Sequence, residues 1–269
     1  MIDAADIPAI TRIEARQLAR TELDHFLALL DMLTNDDWTQ PTDCTLWNVR
    51  QMAAHQAGAY ASYARLREFL RQVVFNTYMR QSALPVDGIN RRQVEDRAQT
   101  PPADLIAELR AIGYKAIERR LNLPEFLRSL STPPIPQFGK LNVGYFMDAI
   151  LTRDTWMHRA DICRATGRAM LLTAEHDGRI VALVMRDLAP RLKPLLADKS
   201  IVYELAGAAG GLYRFGGEAP PVATLSLDML EFNRLASGRL KPQEAQSLIT
   251  ITGDASLAQR VLENTFAPY

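Results

Sequence analysis

The character of this chain changes at Gly167. Before it, apolar residues recur every three to four positions through four long stretches. After it, the apolar runs shorten and glycines punctuate them: Gly207, Gly210-Gly211, Gly216-Gly217. No single sheet and no single bundle accommodates both patterns. The pattern predicts a mainly α plus α+β protein, with a four-helix bundle over residues 1–170 and a smaller α+β domain over 171–269.

The first helix is expected over about residues 8–33, with Leu18, Phe26, Leu29 and Leu33 at helical spacing. Asn35-Asp36-Asp37 breaks it. The second is expected over about 45–77, striped by Met52, Ala59, Tyr63, Leu66, Leu70 and Val73. Pro85 and Gly88 mark a connection. Thr100-Pro101-Pro102 reads as the start of the third helix, with Thr100 as the capping hydroxyl and Leu105, Leu109, Ile112 and Ile117 behind it. The run Thr132-Pro133-Pro134-Ile135-Pro136 is a loop. A fourth helix is expected over about 143–166, ended by Gly167. Beyond it a helix runs from about 174 to 188, or to 196 with a break at Pro190. Strands are expected at 200–205, 211–215, 223–227 and 247–252, with helices at 228–237 and 256–265.

Lys+Arg and Asp+Glu both count 31 in the 269 residues, so bulk charge does not suit a nucleic-acid binder. No apolar run approaches the ~20 residues that span a membrane. The start of the chain lacks a charged-then-apolar leader, and the expected location is the cytoplasm. Cys44 and Cys163 stand in no metal or redox spacing and are expected as free thiols, small apolar groups rather than nucleophiles. No G-x-S-x-G, P-loop or G-x-G-x-x-G occurs.

The fourth helix carries the chemistry. Met147, Leu151, Asp154, His158, Ile162 and Ala165 project onto one stripe. Asp154 and His158 therefore occupy positions that should face the core. Burying a lone carboxylate costs several kcal/mol, roughly, unless something compensates it. A metal ion would; so would Arg153 or Arg159 beside it. His55 lies within a narrow arc of Met52, Ala59, Leu66 and Val73 on the second helix. Facing helices lie ~8–10 Å apart, close enough for His55, Asp154 and His158 to meet on one ion. Two imidazoles and one carboxylate would leave a coordination position open. The plainer alternative is an Asp154–His158 pair and a satisfied core His55. His25, near Leu18 and Leu29, is either a further ligand, a group behind the ligands, or a rim histidine. His176, between Glu175 and Asp177, reads as solvated. Cys44 is too far along the helix axis from His55, and Cys163 points away from His158.

Two stretches resemble a known family. One is Asp37-Trp38-Thr39-Gln40-Pro41-Thr42-Asp43-Cys44-Thr45-Leu46-Trp47-Asn48-Val49-Arg50, continuing through Met52 to His55. The other is Asp154-Thr155-Trp156-Met157-His158-Arg159-Ala160-Asp161-Ile162, followed by Ala165-Thr166-Gly167. Together they resemble the N-terminal domain of the mycothiol-dependent maleylpyruvate isomerase family, within the DinB-like metal-binding four-helix bundles. Asp228 to Arg239 and Thr252-Gly253-Asp254 resemble that family's sterol-carrier-like second domain. The resemblance implies that His55, Asp154 and His158 bind a divalent metal, usually zinc. It also implies mycothiol as a thiol cosubstrate, whose carboxylate would suit Arg239, with Arg234 behind it. The family's acid is often Glu; the shorter Asp154 is a departure.

The resemblance implies a metal-dependent, mycothiol-dependent isomerase or thiol transferase acting on a small electrophile. A non-catalytic metal- or ligand-binding or regulatory protein on the same fold is the alternative, and a metal-dependent hydrolase the second. The expected partners are a small-molecule substrate and a low-molecular-weight thiol, with no nucleic acid and no membrane, in a monomer or homodimer.

Overall fold

The structure is a computed structural model and describes residues 1–134 and 139–269. Ile135 and Pro136 of the proline-rich loop lie outside the described residues. The chain divides into two compact units, Thr11–Met170 and Met1–Ile10 with Leu171–Tyr269.

The Thr11–Met170 unit is built on α1 (Arg12–Asp31), α2 (Val49–Ala64), α3 (Pro85–Glu95), α4 (Pro102–Leu121) and α5 (Leu151–Thr166). α1 opens on a capping box, Thr11 with Glu14, and α2 on another, Asn48 with Gln51. α2 packs on α4, α4 on α1, and α5 on both α1 and α2. Leu23, Phe26, Leu30, Met52, Leu105, Leu109, Ile117, Trp156 and Ile162 fill the space between them. Burying each large apolar side chain contributes roughly 1.5–3 kcal/mol.

Three departures from the sequence pattern have local causes. The second helix ends at Ala64, because Arg65 takes extended backbone angles. A short helix, Leu66–Phe69, and a π-helical turn, Leu70–Val74, follow. The later stripe does not face a core: Leu66 is exposed, while Gln72 is buried and donates to the Gly58 carbonyl. Pro85 and Gly88 mark a helix, α3, rather than a connection. Pro85 sits in its first turn, where a missing N–H costs nothing. A Cβ on Gly88 would lie 2.5 Å from the Met79 backbone, so glycine is needed for close approach. α4 begins where expected, yet Pro101 is its cap residue and Thr100 makes no cap hydrogen bond. The fourth helix divides into Val143–Tyr145, a π-helical turn at Phe146–Ile150, and α5. Gly167 closes α5 at φ +66°, a left-handed cap.

In the other unit, α6 (Asp177–Leu196) runs unbroken through Pro190 and Pro194. Ile180, Val181, Val184, Leu188, Leu192 and Leu196 are buried along it, and that burial outweighs the lost backbone bonds. Strands β1 (Ile2–Asp3), β2 (Ser200–Ala206), β3 (Gly211–Gly216), β4 (Pro221–Asp228) and β5 (Thr250–Gly253) form a mixed sheet. Among the described residues its order is β1-β3-β2-β4-β5. β1 was not legible as a strand; it is two residues long and pairs in parallel with β3. α7 (Met229–Ala236), capped by Asp228, and α8 (Ala255–Glu263) return against β4. His176 is buried, contrary to its solvated reading. Its acidic neighbour Asp177 is buried too, because that carboxylate accepts from the Thr173 N–H at 2.7 Å. No helix among the described residues is long and apolar enough to cross a membrane.

Candidate metal centre

α2 and α5 bring His55, Asp154 and His158 together, with one potential ligand atom of each within 4.8 Å of the others. His158 Nε2 lies 3.3 Å from Asp154 Oδ1, and His55 Nε2 lies 3.5 Å from Asp154 Oδ2. The two histidine side chains are 5% and 6% exposed, while Asp154 keeps 26%. The cluster thus opens to solvent at its carboxylate.

Asp154 is not held by its neighbouring arginines. Arg159 forms a buried pair with Glu22, at 2.8 and 3.0 Å, and Arg153 donates to the Tyr145 hydroxyl at 3.4 Å. His25, half-buried on α1, is not part of this cluster. Cys163 is buried, and burial pushes its thiol up to about 11. Cys44 is half-buried, and the two cysteines are not joined in a disulfide. Arg234 pairs within α7 to Glu231 at 2.5 Å, and Arg239 follows the left-handed Gly238.

The electrostatics suit a cation. Burial alone would raise the Asp154 carboxyl. The charge and hydrogen bond of His158, and then of His55, overcome it and hold the carboxyl well below its usual range. Burial would lower His158, but Asp154 and then Asp161 raise it to about 9. The centre is therefore one coupled group that keeps a proton near neutral pH when no metal replaces it.

The residues fit a divalent metal. Nδ1 of the buried His55 has no hydrogen-bond partner among the described residues, and its Nε2 has only the long 3.5 Å approach to Asp154 Oδ2. Leaving Nδ1 so costs roughly 1–3 kcal/mol. Donors ~2.0–2.1 Å from a tetrahedral ion stand about 3.4 Å apart, and the two histidine separations above, one to each oxygen of Asp154, are close to that. Two imidazoles and a carboxylate are a borderline donor set of the kind zinc takes.

Four neighbours went unassigned in the sequence. Trp47 stacks on the His55 ring at 4.8 Å between centroids. Asp161 lies 3.1 Å from His158 Nδ1, so the neutral ring carries its proton there and turns the Nε2 lone pair toward Asp154. Gln56 donates to Asp154 Oδ2 at 2.7 Å. Thr155 donates to Gln56 Oε1 at 2.9 Å. Spacing could have flagged Asp161, one turn after His158; nothing in the sequence separates Gln56 or Thr155 from ordinary helix residues.

A sequence profile described as the mycothiol maleylpyruvate isomerase N-terminal domain matches residues 19–163. The crystal structure of the mycothiol-dependent maleylpyruvate isomerase is similar in fold. It has 15% sequence identity and a TM-score of 0.55, covering 94% of this chain and 96% of its own. A histidine-to-alanine mutant of that enzyme gives the same identity and coverage with a TM-score of 0.54. No curated protein sequence matches the chain. The profile's span holds α2, most of α5 and all three converging side chains, and the chain belongs to the mycothiol maleylpyruvate isomerase N-terminal domain family.

Proposed function

We propose that the protein is a metal-dependent enzyme that uses a low-molecular-weight thiol, mycothiol by family, to isomerise or thiolate a small electrophilic substrate. One observation carries this reading: ligand atoms of the buried His55 and His158 and of Asp154 converge within 4.8 Å of one another. His55, Asp154 and His158 are the ligand set, and zinc is the metal that their chemistry favours. When bound, the metal supplies the positive charge that lowers the pKa of a thiol beside it.

The protein's own residues do the rest. Asp161 fixes the His158 ring, and Trp47 covers one face of His55 and keeps water from it. The open side at Asp154 admits the reactants. The raised Cys163 thiol stays protonated near neutral pH, so an external thiol provides the nucleophile. Arg239, with Arg234 behind it, is the assignment for the thiol's carboxylate, carried by the family pattern; Arg239→Ala should raise the KM for the thiol. We also read the two compact units as two domains, the second sterol-carrier-like, in a cytoplasmic protein.

Turnover of maleylpyruvate, and of a generic electrophile, with and without mycothiol tests the proposal. Activity should require both thiol and metal, and His55→Ala should lower it at least a hundred-fold, since a metal site missing one of three ligands loses most of its affinity. Unchanged activity in His55→Ala would contradict the assignment. Metal uptake without thiol-dependent turnover would favour a non-catalytic binding protein.

A further inference from the structure

The bundle core braces Asp154 with three side chains from two helices. Ionised, a carboxylate only accepts hydrogen bonds. Gln56 must therefore turn its NH₂ toward Asp154, where Nε2 reaches Oδ2 at 2.7 Å. Its Oε1 then faces Thr155, whose hydroxyl donates to it at 2.9 Å. Leu151 O, at 3.2 Å, is the longer alternative for that same hydrogen. Having spent its proton, Thr155 Oγ1 accepts from the Tyr60 hydroxyl at 3.3 Å. Each orientation follows from the negative charge at Asp154. Gln56, Thr155 and Tyr60 are all buried, so water does not substitute for a missing partner.

The consequence lies in which oxygen stays available. Gln56 takes up one lone pair of Oδ2, which also lies 3.5 Å from His55 Nε2, and fixes the carboxylate plane, while Oδ1 faces His158 Nε2 at 3.3 Å with no amide on it. We propose that Gln56, held in turn by Thr155, is a positioning residue that would present Asp154 to the metal through one oxygen. This rests on the metal-binding reading of the preceding section. One-oxygen coordination also leaves room at the metal for a thiol, which a two-oxygen grip would reduce. A purely structural amide at this place would contribute to stability and leave metal affinity untouched.

The test is zinc affinity of the full-length, metal-stripped protein, measured by competition with a chromogenic chelator, with folding followed by circular dichroism. Gln56→Leu should weaken zinc binding about 10–100-fold, the usual effect of removing a group that orients a ligand. Thr155→Val should weaken it less, and Thr155→Ser, which keeps the hydroxyl, should match the wild type. In an Asp154→Ala background, Gln56→Leu should cause no further loss. Wild-type affinity in Gln56→Leu, with affinity lost in His55→Ala, would overturn the positioning role and leave the metal reading standing. If Gln56→Leu fails to fold, Thr155→Val decides, and wild-type affinity there overturns the proposal. A wild-type protein that takes up no zinc overturns both readings.

Discussion

At the proposed metal centre a proton and the metal would compete for His158. The ring titrates near 9 in the metal-free protein because Asp154 and Asp161 flank it in a buried setting. At pH 7 it is protonated, so metal binding should release about one proton per ion. Zinc affinity should therefore climb roughly ten-fold per pH unit and level off near 9. Binding enthalpies measured in buffers of different ionisation heat give the proton count; a count near zero at pH 7 would contradict the coupling. The same shift sets a stability profile. The pKa is raised above its ordinary 6.5, so the metal-free protein holds this contribution below 6.5 and loses it as pH rises through about 9. Arg120 poses a different question at this scale. Arg97, Arg128 and Arg159 are buried and each closes on a carboxylate, whereas among the described residues Arg120 makes one hydrogen bond, to Thr152 Oγ1 at 2.8 Å. Burial lowers its pKa, and Tyr60, Tyr63, Asp148 and Asp154 only partly offset that. Burying a charge with no ion-pair partner among the described residues costs roughly several kcal/mol of desolvation, which an apolar chain of similar length avoids. Arg120→Met should leave the melting temperature unchanged or raise it; a fall of several degrees would show that the charge holds the core together.

The elements record which sequence signals carry through. Periodicity located α1, α4 and α5, since each buries a broad face against two neighbours. It overran α2, because Leu66, Leu70 and Val73 keep helical spacing while the backbone turns at Arg65. It missed α3, where Pro85 and Gly88 suggested a connection. Both residues have helical uses, a first-turn proline and a close approach. The α2–α3 contact shows the same principle. A Cβ on Gly58 would lie 2.5 Å from Gln93 Cβ, so the two helices meet at a distance only glycine allows. Gly58→Ala should destabilise the protein by about 1–3 kcal/mol despite alanine's better helix propensity. A chemical denaturation midpoint at or above wild type would refute that packing. The three candidate ligands were legible because polar residues on apolar stripes are conspicuous. Gln56, Thr155 and Trp47 were not, since their roles depend on the rotation of α2 against α5, which no single helix encodes.

On the scale of the whole molecule, the break at Gly167 anticipated an all-helical part followed by a mixed one. It did not anticipate that Met1–Ile10 clusters with Leu171–Tyr269, because a two-residue strand has no periodicity to read. Family membership extends over residues 19–163, and the fold likeness to the mycothiol-dependent maleylpyruvate isomerase extends over 94% of the chain. At 15% identity that likeness fixes architecture, and the chemistry rests on the cluster itself. The central claim is that His55, Asp154 and His158 close on one divalent ion. The most direct measurement is anomalous diffraction at the zinc absorption edge from crystals of the zinc-loaded protein. The account predicts a single strong peak within bonding distance, about 2.0–2.2 Å, of His55 Nε2, His158 Nε2 and one oxygen of Asp154. A map with no peak there, and Asp154 still bridging the two histidines, would contradict it.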